Sequence, residues 1–451
     1  MSEQKRVNRE TADVVIVGGG PAGIAAAIAA GRQGVRVVLV ERYGFVGGMS
    51  TAAMVYPWMT FHTAQGEQVI RGIAQEIVDR LQSCGGSPGH LRDTVGFVHT
   101  LTPYDPSVYP VVAAEMLQEA GVRLLLHSFV DDVVVVEDRI KAVRVTSKSG
   151  ELEIQATVFV DASGDADVAY LAGAAIAKGR DEDNKSQPMT MKFRMRGVDL
   201  RRVKQYMQEH PEDFYEKTPH AELDTIPLTG VSGFYSHWKK AAVPIQRDQV
   251  LFFTGPAEDE VLINCTRVQG FDATATADLT AAEMEGRKQV LLIAEFLRND
   301  VPGFEQSSIS AVAPQIGIRE SRRIIGRYAL TQEDVVAGQK FEDVIARSGY
   351  PIDIHDPSGQ GVTAAFIQGD GAYDIPYRCL ISQNRSNLLA AGRCISTTHE
   401  AHATTRLTPS CMATGEAAGT AAALAVKLNL APVVLPVSLL QEELRQHGAA
   451  I

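Results

Sequence analysis

The sequence predicts an α/β fold: a parallel sheet assembled from both ends of the chain, with an α+β segment of mainly antiparallel sheet inserted between them. Three observations carry that prediction. The apolar runs Val14–Val17 and Val35–Val40 flank a glycine turn and an alanine-rich helical stretch, the pattern of a parallel strand–helix–strand unit. From about residue 181 the texture changes to a charged, Met-rich stretch and then to short β-like runs at 249–254 and 260–268. At Asn387–Gly392 the strand–turn–helix texture returns and leads into a small-residue helix around 410–426. The boundaries expected are therefore 1–180, 181–365 and 366–451.

The first unit carries Gly18-x-Gly20-x-x-Gly23 between its strand and its helix, and Glu41 closes its second strand. Gly18 lets the chain turn, Gly20 lets backbone approach a pyrophosphate, and Gly23 lets helix and strand pack closely. The free N–H groups at the helix start suit phosphate charge, and a carboxylate at the end of the second strand suits a ribose. A bound dinucleotide is expected, with its identity open at this stage. Gly48-Met49-Ser50 follow as a second place where backbone can pass close to a ligand.

Beyond this unit the elements follow in order. Val69, Ile73, Ile77 and Leu81 recur at helical spacing within 68–82, and a Gly/Ser/Pro-rich loop follows at 84–90. Tyr109–Ala120 reads as a helix ended by Gly121, and Val122–Leu126 as a strand. A hairpin is expected over 130–137 and 140–147, then a strand over Ile154–Val160. Glu283–Leu297 is a helix pattern that stops before Val301-Pro302-Gly303. No repeat or low-complexity tract is evident.

Composition bounds the partners. The 451 residues carry a net charge of −11, which argues against nucleic acid or an anionic membrane as the main partner. Five scattered cysteines with no CxxC fit a reducing compartment and exclude a disulfide framework. Val14–Gly31 is uncharged and nearly long enough to span a bilayer, but Gly18-Gly19-Gly20-Pro21 breaks a continuous helix there. Met1–Thr11 is polar, with no apolar signal region, so the expectation is a cytoplasmic protein with no membrane partner.

Four motifs together resemble the FAD-dependent oxidoreductase family, flavoproteins of the glutathione-reductase type. They are the glycine turn ending on Glu41, the run Val160–Asp167, the run Gly317–Ile324, and Asn387–Ser396 with the downstream Arg406 and Pro409–Gly419. The resemblance implies a discontinuous, Rossmann-like FAD-binding domain with an inserted substrate domain, and it names FAD as the cofactor. It also implies roles for single residues. Gly18, Gly20, Pro21, Ala22 and Gly23 would carry the pyrophosphate, Glu41 and Arg42 the adenosine end, and Val130 a backbone group against adenine. Gly48, Met49, Ser50, Ala162, Ser163, Gly164, Asp165 and Gly392 would line the cofactor's passage. The wider flavoprotein pattern has an Asp after Gly392, whereas this chain has Arg393, so a carboxylate–ribityl contact there is in question.

The last helix can also be read physically. Pro409 suits a first turn, Thr408 or Ser410 could cap it, and N–H groups near Cys411, Met412 and Ala413 would face the flavin's pyrimidine edge. An exposed Cys411 at that position would have a lowered pKa.

Candidates for chemistry follow from the same region. His399, His402 and Arg406 fall in an expected loop beside the flavin, where a His can move a proton and an Arg can hold a carboxylate. The spacing of His399 and His402 is not that of the helical zinc motif, and no metal is expected. Arg319, Glu320, Arg322 and Arg323 form a charged cluster; on a helix, Arg319 and Arg323 would share one face. A structural ion-pair network between the two domains is the first reading, and a place for Arg319 at the substrate or flavin site the second. Asp353, His355 and Asp356 are read as a turn and assigned no role.

No second GxGxxG follows residue 60, so a built-in nicotinamide domain is not expected. The reading is an FAD enzyme moving a hydride between flavin N5 and a small substrate bearing a carboxylate or hydroxyl, with its electron partner and oligomeric state open. The alternative is a flavin-binding subunit, or an RNA-modifying flavoprotein acting through a macromolecular partner.

Overall fold

The computed structural model describes residues 8–359 and 361–451. Most of the N-terminal polar stretch, up to Val7, lies outside the described residues. A five-stranded parallel sheet runs in the order Leu388–Ala390, Val158–Asp161, Val14–Val17, Val37–Val40, Arg123–Leu125. Its three central strands are buried at every position, as parallel strands covered on both faces must be. The strand from the far end of the chain, Leu388–Ala390, pairs directly with Val158–Asp161, so the sheet is discontinuous in sequence.

Helix Pro21–Arg32 packs on this sheet and against helix Thr408–Leu428. The two come unusually close because Gly415 and Gly419 have no side chain. A Cβ on either would overlap the carbonyl oxygens of Ala22 and Ala26 respectively. Gly23 repeats the device one layer down, since its Cβ would overlap the carbonyl of Gly18.

A four-stranded sheet runs in the order Asn8–Thr11, Gly150–Gln155, Arg139–Ser147, Phe129–Val136. It contains the expected hairpin, but it splits the strand read over Ile154–Val160. Gly150–Gln155 pairs with Arg139–Ser147, whereas Val158–Asp161 joins the parallel sheet. The chain changes sheets at Ala156 and Thr157, where the Thr157 N–H turns to the Asp13 carbonyl at 3.2 Å.

Residues 193–312 supply a five-stranded antiparallel sheet, ordered Gly230–Gly233, Val250–Thr254, Glu260–Ile263, Phe193–Arg196, Ser308–Val312. Helix Thr276–Asp300 accompanies it and starts earlier than the sequence pattern indicated. Its first two turns bury only Ala282, so no apolar stripe marks them. The helix read over 68–82 begins only at Ile73, after Gly72 at φ +60°. Short two-stranded sheets link the segments: Ile176–Lys178 with Arg322–Ile324, and Val344–Ser348 with Tyr373–Pro376.

Three local expectations are corrected. The 319–323 cluster is not helical, because Arg322–Ile324 is a strand paired with Ile176–Lys178. Residues 399–405 are not a loop but a helix, and the Thr398 side chain caps it by accepting from Ala401 N–H. Asp353 and His355 lie not in a turn but in strand Ile352–His355, paired with Val362–Ala365. Among the described residues no helix is long and apolar enough to cross a membrane.

Because Gly415 abuts main-chain atoms that cannot rotate away, Gly415→Ala should destabilise the protein by about 1–3 kcal/mol through overpacking. Thermal unfolding followed by circular dichroism should show a midpoint lower by several degrees, and an unchanged midpoint would contradict this packing.

Candidate active site

The carboxyl ends of the parallel strands converge on one cavity of about 590 Å³. Gly18, Glu41, Ala162 and Ala391 each follow a different strand of the sheet, and all four line it. This is where open α/β sheets receive ligands.

One set of lining residues comes from this edge: Gly20, Pro21, Ala22, Arg42, Gly48, Met49, Ser50, Val130, Ser163, Gly164 and Arg393. The first intrahelical bond of Pro21–Arg32 runs from Ile24 N–H to Gly20 O, and Pro21 has no N–H. The amides of Ala22 and Gly23 therefore have no acceptor inside the helix and suit an anion. Gly18 holds φ +100°, and a Cβ there would overlap the Ala162 carbonyl. Gly20 differs, since its Cβ would meet only Gly48 Cα at 3.7 Å, leaving the space beside it open to the cavity.

The Glu41 carboxylate is oriented by two main-chain donors, Gly19 N–H at 2.6 Å and Tyr43 N–H at 2.8 Å. Burial nevertheless raises its pKa. Its remaining lone pairs suit hydroxyl donors.

Several expected cofactor residues act one step back from the cavity. Gly23 makes the close helix contact. Asp165 accepts from Arg393 Nη2 and from Ser321 Oγ, both at 2.7 Å. Gly392, at φ +73°, stands against Ala22 and Cys411. Met412 and Ala413 do not line the cavity.

The start of helix Thr408–Leu428 also differs from expectation. Leu407 is its N-cap residue and no side chain caps it, while the Ser410 hydroxyl goes to Ser348 Oγ at 2.9 Å. The Cys411 N–H already donates to Leu407 O at 2.8 Å, so the free amides are those of Thr408 and Ser410, one turn earlier. Burial raises the Cys411 thiol to about 12, the reverse of the activation expected for an exposed thiol.

A second set of lining residues brings charge: Lys192, Arg247, Arg319, Asp353, His355 and Arg406. Arg319 donates from Nη1 to Pro188 O and Thr190 Oγ1, both at 2.6 Å. Arg406 reaches Gln187 Oε1 only at 3.5 Å, and its buried Nε has no partner. Burial, then the neighbouring Arg406, pushes Arg319 down to about 9. The carboxylate of Asp353 lies 3.5 Å from His355 Nε2 and accepts from the Tyr350 hydroxyl at 3.2 Å. Burial and the nearby Arg319 push His355 down to about 3, so its imidazole is neutral.

The two histidines of the expected site lie elsewhere. His399 Nδ1 is 2.9 Å from the Glu320 carboxylate, which also accepts from Arg323 Nη1 at 2.8 Å. All three side chains are essentially sealed from solvent. Burial opposes ionisation of Glu320, but the His399 hydrogen bond and the nearby charges outweigh it and hold the carboxyl at about 2. His402 Nε2 lies 3.0 Å from Arg393 O, and burial holds this imidazole neutral, at about 3. Neither histidine lines the cavity, because the helix over 399–405 turns both into the protein.

Sequence reasoning thus placed Arg319 and Arg406 in the cavity and missed Lys192, Arg247, Tyr350, Asp353 and His355. A lone Lys192 in the otherwise uncharged run Pro188–Phe193 was the one signal available.

This is the architecture of a dinucleotide-binding α/β protein, with a second, charged set of side chains lining the same cavity. A family model described as FAD dependent oxidoreductase matches residues 13–444, and the chain belongs to that family. It is similar to the thiamine thiazole synthase of Methanococcus vannielii, 30% identical over 161 residues that cover 34% of this chain and 56% of the relative. A thiamine thiazole synthase of Aeropyrum pernix is 30% identical over 143 residues, 30% of this chain and 43% of the relative. The chain thus spans about half the length of these curated relatives.

Among solved structures, p-nitrophenol 4-monooxygenase of Pseudomonas putida superposes with a TM-score of 0.51 at 13% identity, over 94% of this chain and 83% of that one. That likeness speaks for the fold alone. FAD is the cofactor of the family, and the free amides of the first helix, the open face of Gly20 and the oriented Glu41 carboxylate fit it.

The two glycines provide a test. Gly20→Ala should leave folding intact, since its Cβ meets no protein atom closely, yet weaken FAD retention by filling the space beside the phosphate-binding amides. Flavin content per chain and the unfolding midpoint should separate the two effects, and full FAD retention in Gly20→Ala would contradict the assignment.

Proposed function

We propose that the protein transfers a hydride between FAD and a small organic substrate bearing a carboxylate or hydroxyl, with Arg406 and Arg319 holding the substrate. Bound FAD supplies the hydride chemistry, at its N5 atom. The chain's own residues bind, orient and shield. Arg406 carries this reading: its half-buried side chain lines the cavity with a buried, unpartnered Nε and only a 3.5 Å contact to Gln187. A buried guanidinium without an acceptor is costly, and a carboxylate placed against it supplies two charge-assisted hydrogen bonds.

Arg319 is fixed by Pro188 and Thr190 and adds a second positive group from a different segment. The neutral His355 and the Asp353 carboxylate, paired on the strand Ile352–His355, add polar groups to the same side of the cavity. The cofactor residues Gly18, Gly20, Ala22, Glu41, Val130, Ser163 and Gly164 would hold FAD along the sheet edge. Within the same reading, residues 1–180 and 366–451 form the FAD-binding part and 181–365 the substrate part. The partner is a small molecule, with no nucleic acid or membrane role and a cytoplasmic location.

Purified protein should be yellow, with about one FAD per chain. Arg406→Ala should keep the flavin but slow its anaerobic reduction by the substrate about 10- to 100-fold, the loss of about 1.5–3 kcal/mol expected for a charged hydrogen bond. Screening small acids and alcohols for flavin bleaching supplies the substrate, and stopped-flow absorbance measures the effect. An unchanged rate would remove Arg406 from the site.

A further inference from the structure

Lys192 lies just before strand Phe193–Arg196 and is only 8% exposed. Its Nζ lines the cavity and has one hydrogen bond, to Tyr56 O at 3.3 Å. Two of the three hydrogens of an ammonium there have no protein acceptor. No carboxylate stands within ion-pair distance of Lys192, Arg319 or Arg406 among the described residues. The hydrogen bonds of Arg319 and Arg406 go to neutral oxygens of Pro188, Thr190 and Gln187. The ionisable groups on this side of the lining are Tyr56, Tyr215, Tyr235, Arg247, Asp248, Tyr350, Asp353 and His355. Of the two carboxylates, Asp248 is exposed, and Asp353 is engaged by His355 and the Tyr350 hydroxyl.

Lys192, Arg319 and Arg406, with Arg247 further along the lining, crowd positive charge into one part of the cavity, and Asp353 is already engaged. A guanidinium does not surrender its proton under ordinary conditions, whereas a lysine does. The amine is therefore the group that yields, and an arriving carboxylate reverses the balance.

We propose that Lys192 couples substrate binding to proton uptake: its amine gains one proton from solvent as a carboxylate enters beside Arg319 and Arg406. This rests on the anion-site reading above and deepens it, by making the substrate a carboxylate whose affinity is set by pH. Burial first, then Arg319 and Arg406, pushes the free amine down to about 7. With a carboxylate in place the group returns toward its ordinary value of about 10.4. Above pH 7 the free amine is neutral, so binding must take up a proton and weakens as pH rises. Below pH 6 the ammonium is already formed and uptake vanishes.

The test uses FAD-loaded protein, with acetate and malonate as probes. Calorimetric titration at pH 8 in HEPES and in Tris reads the protons exchanged from the difference in buffer ionisation enthalpy. Wild type should take up close to one proton per bound anion at pH 8 and almost none at pH 6. Its Kd should rise up to tenfold per pH unit above pH 7. Lys192→Arg, with a fixed charge, should bind without uptake and with an affinity flat from pH 6 to 9. Lys192→Met should bind more weakly, also without uptake. Anion binding to wild type without uptake at pH 8, or uptake persisting in either variant, overturns the role of Lys192 and leaves the anion site standing. If neither acetate nor malonate binds wild type, both readings fall.

Discussion

The contact of helix Thr408–Leu428 with helix Pro21–Arg32 is the constraint on which the rest depends. Glycine at 415 and 419 brings two helix backbones to the separation at which Ala22 and Ala26 carbonyls occupy the space of missing side chains. That closeness sets Thr408 into the same cavity as Gly20, almost four hundred residues away in sequence. The register is reinforced by Glu416, whose Oε2 accepts from Ile73 N–H at 3.0 Å and so ties in helix Ile73–Ser83. A glycine turn can cradle a phosphate alone, but this helix pair brings the segment carrying Arg406 and Leu407 to the same cavity.

Buried charge is handled in two opposite ways within a short stretch of chain. Glu320, Arg323 and His399 satisfy one another, with Arg323 also donating to Thr397 O and Gly179 O. A network closed in this way holds segments together and has nothing left to offer a ligand. Arg319, the residue immediately before Glu320, points to the cavity and finds only neutral oxygens. Adjacent residues thus part ways, one closed into a network and the other left facing the cavity. Burial is common to both, and whether the partners are already present distinguishes them.

The nucleotide half was legible because its signals are local. Val14–Glu41 contains strand, turn, helix and terminal acid in one continuous stretch, and each glycine answers a backbone demand within a few residues. The order of the parallel sheet was legible only in outline, and the division of Gly150–Asp161 into two strands was not. That division depends on pairing partners far away in the chain. Likewise 399–405 carried polar residues that read as loop, yet the Thr398 cap and burial make them helix. The cavity's second charged set was hardest to read. Lys192, Arg247, Arg319, Asp353 and Arg406 come from five separate segments, and nothing in local spacing signals that they meet.

Arg393 stands where the wider flavoprotein pattern has an Asp, and its partner is Asp165, reached across the sheet edge from a different strand's end. The two side chains are only 10% and 7% exposed, so each neutralises a charge that water barely reaches. A carboxylate at 393 would set two acids against each other, and an uncharged side chain would leave the Asp165 carboxylate with Ser321 Oγ as its hydrogen-bond donor. Positions 165 and 393 therefore act as one electrostatic unit, and exchanging either alone leaves a buried charge without its ion-pair partner beside the cavity.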